Sequence, residues 1–266
     1  MNKTLLPVFG LALVCAMSLL VSCDRSASQS PDNLADDLDQ INEDYAERNR
    51  RDLDEKGYIE PDASQANELA TELRAAAGDA PPEQAAVLAE SAFFAESVAA
   101  LVQDFADHTN AFINSGGFDP ATLGPNADYE ARLALLDNLA NANTRFTTEL
   151  DTLLAEHPKR VRSLTSKGVD ADVIEGYIEG FESNNAQFDL VREIRRTDAD
   201  LCRHGRVYLE VLRDTAGHWS LGTLGMIEFD ETVPEETADR FIAAAEGIQI
   251  AGNEQAELQR SQFGSP

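Results

Sequence analysis

The sequence predicts an all-α protein, an elongated antiparallel helical bundle with coiled-coil-like packing and one small β-hairpin near residues 218–229. Three observations predict it. Apolar residues recur at alternating spacings of three and four over long stretches, the period of a buried helix stripe. Clusters of Gly, Pro and Asn separate those stretches and stop helices. One short region, around Trp219 and Phe229, abandons the helical period for two brief apolar runs flanking glycines.

The chain begins with a segment that is not part of the bundle. Lys3 supplies a positive start, Leu5 to Val21 an apolar run, and Leu20-Val21-Ser22-Cys23 its end. The run falls short of the roughly 20 apolar residues a membrane span needs, and Pro7, Gly10 and Ser18 interrupt it. Those four residues resemble a bacterial lipobox, which the lipoprotein signal peptidase cuts just before the cysteine. The resemblance implies cleavage between Ser22 and Cys23 and a diacylglyceryl group on the Cys23 sulfur. Two or more acyl chains hold a protein stably at about 0.8 kcal/mol per buried methylene, so the mature chain is expected on the membrane without crossing it. Asp24 resembles the signal that retains enteric-type lipoproteins in the inner membrane, facing the periplasm; the outer membrane is the alternative. The expected organisation is a signal peptide over 1–22, an acidic tether over 23–60 and a helical envelope domain over 61–266.

Charge narrows the partners. The chain carries 48 acidic and 21 basic side chains, a net −27, which repels nucleic acid and anionic headgroups and disfavours both as partners, while it favours solubility, cationic partners or a saline habitat. Of three cysteines, Cys15 lies in the signal and Cys23 takes the lipid, leaving Cys202 and no disulfide framework.

Within the acidic tether, Leu34, Leu38, Ile41 and Tyr45 have helical spacing, so the segment is read either as a short docking helix or as a solvated arm. Good helix formers over 62–77 end at Gly78 and Pro81-Pro82. A helix of about 30 residues follows, roughly 45 Å long, with Val87, Phe94, Val98, Leu101, Phe105 and Phe112 on its seam and Ser91 and His108 filling the remaining places. After the Gly116-Gly117 turn, Tyr129, Leu133, Leu136, Ala140, Phe146, Leu150 and Leu153 mark the buried side of the next helix, to about Glu156. Asn143 on that side is suited to fixing register. Pro158 is expected to break or kink it, leaving a short basic helix over 159–167 stopped by Gly168.

Asp170 is the expected N-cap of the longest periodic stretch, reaching about Asp214, with Asn184-Asn185 as a possible interruption and Gly205 as a place for close helix approach. Trp219 and Phe229 of the hairpin should pack on helices, because two strands alone are marginal. Thr232 and Glu235 have capping-box spacing ahead of a last helix carrying Phe241, Ala245 and Ile248 inward. This order of elements over residues 201–255, behind a lipobox, is similar to a family of helical proteobacterial lipoproteins of unknown function. The likeness implies location and shape only.

No constellation for chemistry stands out. His108, four residues after Asp104, reads as a hydrogen-bonded core histidine, and His157, His204 and His218 add no metal-ligand spacing, so no metal or cofactor is expected. Cys202 and His204 point about 200° apart on a helix and cannot form a nucleophile–base pair, and Cys202 reads as a buried small hydrophobe. No catalytic residue is assigned. The most informative surface feature is a row of arginines, Arg192, Arg196, Arg203, Arg206 and Arg213, within roughly a 100° arc opposite the Leu201-Tyr208-Leu212 face. It pairs with the acidic tether or with Glu210 and its neighbours, or it serves as a docking face for an acidic partner or lipid headgroups. The expected function is that of a lipid-anchored, non-enzymatic envelope lipoprotein that binds or scaffolds a protein partner. The alternative is a periplasmic ligand-binding or chaperone-like module, with an enzyme third.

Overall fold

Proline sets the start of the central helix. Pro81 caps it and Pro82 is its first residue, where the missing N–H costs nothing. The structure, a computed structural model, describes residues 32–56, 59, 61–124, 127–222 and 225–263, so the signal segment and Cys23 lie outside it. The order is α1 (Asp32–Lys56), α2 (Ser64–Asp79), α3 (Pro82–Asn114), α4 (Tyr129–Ser163), α5 (Ala171–Ser183), α6 (Asn185–Asp214), β1 (Trp219–Leu221), β2 (Ile227–Phe229) and α7 (Glu235–Phe263). It is an all-α fold with one two-stranded antiparallel sheet.

The 33 residues of α3 run about 50 Å at 1.5 Å per residue. By length and apolarity α3 could cross a membrane, but it is the core helix here, with Val87, Phe94, Val98, Phe105 and Phe112 buried against its neighbours. α4 returns antiparallel, as the Arg145–Asp104 and Arg160–Glu90 pairs show. Its start is fixed by Asp128, whose carboxylate accepts from the Ala131 N–H. Phe105 and Phe146 meet edge-to-face across the pair at 6.3 Å.

Pro158 does not end α4, which continues through it to Ser163. Interior proline costs about 3 kcal/mol. Beyond it Val161 and Leu164 are fully buried, each contributing about 1.5–3 kcal/mol. Packing offsets the break, and the separate basic helix becomes α4's last turn and a 3₁₀ turn over Leu164–Lys167. Gly168, at φ 90°, stops it as expected. Asp170 caps α5 through the Asp172 N–H. The Asn pair does interrupt the following stretch: Asn184 separates α5 from α6 and donates from its buried amide to the Gly180 carbonyl.

α6 lies antiparallel to α4, with Asp151, Asp137 and Glu130 of α4 meeting Arg192, Arg206 and Arg213 in turn. α7 packs along α6. The close approach at Gly205 is made by a loop aromatic, not a helix: an added Cβ would sit 2.1 Å from the Phe118 ring. The hairpin pairs Trp219 with Phe229, and both pack on helices, Trp219 Nε1 donating to the Leu212 carbonyl at 3.1 Å and Phe229 meeting Phe241 at 5.2 Å. The capping box at α7 is absent. Thr232 instead joins a turn closed by Asp230, its N–H and hydroxyl both donating to that carboxylate.

α1 is the docking helix of the two readings, and far longer than the spacing predicts. Tyr45, Asn49 and Leu53 are buried at successive four-residue steps, and Tyr45 and Leu53 cluster with Ile59, with Ile194 of α6 and with Leu258 of α7. Ile41 packs on the α2–α3 cluster of Leu69, Leu73 and Ala92. The Leu34 and Leu38 side chains lie outside the described residues.

Candidate functional site

α6 carries two arginine populations. The outward row has carboxylate partners throughout. Arg192 Nε lies 2.8 Å from Asp151 and its Nη1 2.6 Å from Asp189. Arg196 meets Glu193 at 2.8 Å and Glu254 of α7 at 2.9 Å. Arg206 holds Asp137 and, at 3.0 Å, Glu210. Arg213 holds Glu130 at 3.0 Å and Asp214 at 2.9 Å. Among the described residues Arg203 pairs only with Asp200, one turn away on its own helix, at 2.8 Å, and its side chain is 64% exposed. Four of the five arginines thus lash α6 to α4 or α7. Glu210 is a partner as the sequence suggested, while the acidic segment before α2 pairs with none of the five among the described residues.

Arg195 faces the other way. It follows Phe188 and precedes Cys202 and Leu209 at seven-residue spacing, so it lies in an apolar row, and its side chain is 1% exposed. Its guanidinium meets Asp198 at 2.7 Å and lies 4.1 Å from the centre of the Phe105 ring. Gln255 of α7 donates to the other Asp198 oxygen at 2.6 Å, and Asn143 of α4 donates to the Arg195 carbonyl at 2.8 Å. One polar centre therefore joins α3, α4, α6 and α7, and Asn143 is buried on the face its spacing predicts, where it bonds across to α6. Burial pushes the Asp198 carboxyl above the usual carboxylate range, against the opposing pull of Arg195. Sequence reasoning passed over Arg195, Asp198 and Gln255. The seven-residue row was the available signal.

A second, neutral cluster joins α3, α4 and α5. Tyr177 Oη lies 2.8 Å from His157 Nε2 and 2.9 Å from Ser91 Oγ, which also reaches the Val87 carbonyl at 3.0 Å. Phe94 and Phe181 stack on the imidazole, each 4.8 Å away centre to centre. Burial holds His157 down at about 4, so at neutral pH the imidazole is uncharged and shares one hydrogen bond with the Tyr177 hydroxyl. The chain Ser91→Tyr177→His157 is a proton relay in form, but all three residues are buried, and what it does here is pin three helices.

Of the other residues singled out in the sequence, Cys202 is buried and its thiol is pushed up by desolvation, which makes it a packing group. His204 does not meet it; the imidazole lies against Gly247 of α7. His108 is not a core histidine. Its side chain is 34% exposed at the rim, with Nε2 3.7 Å from Asp104, which binds Arg145 instead. His218 closes the hairpin with Asp230 at 3.1 Å and Thr232 at 2.9 Å. Among the described residues no three His, Cys, Asp or Glu side chains are placed to hold a metal ion. Compared with protein-family models, curated proteins and solved structures, the chain matches none.

Proposed function

We propose that this protein is a lipid-anchored, non-enzymatic scaffold of the bacterial envelope, held on the inner membrane and facing the periplasm. The observation that carries the reading is Leu20-Val21-Ser22-Cys23 at the end of an apolar run, with eight residues between Cys23 and a helix, α1, that packs on the body. A lipid on Cys23 would tie the whole bundle to the bilayer, since no long free arm intervenes. The packing supports a scaffold. Long helices are cross-braced by buried polar centres and interhelical ion pairs, which suits a rigid strut presenting surfaces to other proteins.

Arg203 is the arginine best placed to meet a protein partner, because among the described residues it pairs only with Asp200 on its own helix. A photoreactive residue at position 203 in living cells, read by mass spectrometry, tests the scaffold reading. Repeated capture of one envelope protein is the expected result. Crosslinks confined to the chain's own α4 and α7 would contradict it.

A further inference from the structure

Four-residue steps decide which side of α1 meets the body. Ile41, Tyr45, Asn49 and Leu53 share one stripe of the helix, and one of the four is polar. Tyr45 and Leu53 cluster with Leu190 and Ile194 of α6 and Leu258 of α7, while Ile41 lies on the α2–α3 cluster. Asn49 between them is 3% exposed, and its amide nitrogen has no hydrogen-bond partner among the described residues. Gln259, next to Leu258, is buried with its amide nitrogen equally unpaired among them. A buried donor of this kind loses its hydration and gains no bond in exchange.

Charge loosens the seam further. α1 carries ten carboxylates and four basic side chains, and it lies on a body that is itself acidic within the chain's net −27. Arg48 meets Asp62, just ahead of α2, at 3.3 Å, but both side chains are more than two-fifths exposed, so the pair is weak. Polar bonds on the outer side of α1 stay within the helix, Gln40 to Asp44 and Arg50 to the Ala46 carbonyl, and do not depend on the body. Nor does α2 need α1 in order to begin. Asp62 closes the entry turn, accepting from the Ser64 N–H at 2.8 Å and from the Ser64 hydroxyl at 2.7 Å. The body has its own core, with Phe105, Phe146 and Leu209 buried in it.

We propose that α1 is a detachable arm: it leaves its seat on Leu190, Ile194 and Leu258 while the body stays folded, and so lengthens the membrane tether. The tether part builds on the lipid-anchor reading above. With α1 docked, residues 24–31 alone link Cys23 to the bundle and span at most about 30 Å. With α1 released, residues 24–63 form the link, at most about 140 Å long. The two readings the sequence allows for this segment, docked helix and solvated arm, are then two states of one molecule. The scaffold works at two distances from the bilayer, near when the arm is seated and far when it is not.

The test reads the seat directly. Ile194→Cys places a thiol beneath α1, and Cys202, buried in the body, is the internal reference. Thiol labelling of the full mature protein is followed at both sites, each rate divided by its rate in urea. Position 194 should label at least roughly tenfold faster than Cys202. Adding Asn49→Leu, which removes the unpaired donor, should slow position 194 roughly tenfold and leave Cys202 unchanged. Adding Leu53→Asp should speed position 194, and an unchanged Cys202 shows that the body is still folded. On vesicles, energy transfer from a fluorophore at the exposed position of Ser166→Cys to a labelled headgroup lipid should rise with Asn49→Leu and fall with Leu53→Asp. Equal labelling at 194 and Cys202, labelling at 194 not slowed by Asn49→Leu, or energy transfer indifferent to both variants overturns the inference with the anchor intact. A chain that fails to float with vesicles, or floats equally as Cys23→Ala, overturns the anchor reading and the lengthened tether, whatever the labelling shows.

Discussion

Arg195 and Arg196 follow one another on α6, and each has a carboxylate one turn away on that helix, Asp198 at 2.7 Å and Glu193 at 2.8 Å. Water separates their roles. Arg196 is 60% exposed, so its pairs with Glu193 and Glu254 work against solvent and salt and contribute about 0–1 kcal/mol each. Arg195 is buried with its partner. The pair's attraction is offset by the loss of hydration, and its main effect is specificity: only one register of α4, α6 and α7 brings Asn143, Arg195, Asp198 and Gln255 together. An arginine and a carboxylate three residues apart thus brace the surface weakly on one face and fix the assembly on the other.

Breaking the inner pair should have the largest effect. Asp198→Ala strands a buried guanidinium and should cost about 3–5 kcal/mol, read as a lower urea midpoint with unchanged slope. The double variant Arg195→Met/Asp198→Leu should recover most of that loss, because nothing charged is then left buried. If the double variant is as unstable as the single one, the pair does more than balance its own burial.

The neutral cluster sharpens the contrast through pH. His157 in the folded protein titrates at about 4, below its unfolded value of 6.5, so on acidification the unfolded chain takes up the proton first. Stability from this group is whole above pH 6.5 and falls as the pH drops toward 4, by about 3 kcal/mol at 1.36 kcal/mol per unit. Asp198, raised by burial, works in the opposite sense as the pH falls, so the quantity to measure is the difference between the natural chain and His157→Gln at each pH. That difference should shrink on going from pH 7 to pH 4. A constant difference would mean His157 is not buried in its neutral form.

The outer row should show the smallest effect. A double-mutant cycle on Arg206 and Asp137 should give a coupling of about 1 kcal/mol or less, lost near 1 M salt. A larger, salt-resistant coupling would place that pair with the inner centre.

The helices were legible because their apolar spacing is strong: Phe94, Phe105, Phe146 and Phe181 are buried where the seams put them. What escaped the sequence depended on tertiary contacts. Pro158 stays inside α4 because Val161 and Leu164 beyond it find the core, which local propensity cannot report. His108 falls on the seam by count, yet on that turn Phe105 and Thr109 fill the buried face and the imidazole is left 34% exposed beside Asp104, where it needs no buried partner. The arginine row was visible as a row, but the carboxylates that tie it to other helices, Asp151, Asp137, Glu130 and Glu254, come from α4 and α7, far off in sequence. Arg195 was hidden by chemistry, since a guanidinium in an apolar row reads as an exception until Asp198 and Gln255 are seen around it.

The most direct test of the account is where the mature chain partitions when cells are extracted with a phase-separating detergent, with the natural chain and Cys23→Ala compared side by side. The natural chain should enter the detergent phase, beginning at a Cys23 whose mass carries a diacylglyceryl group, and the variant should stay in the aqueous phase. The two chains in the same phase, or a mature N-terminus other than Cys23, would contradict it.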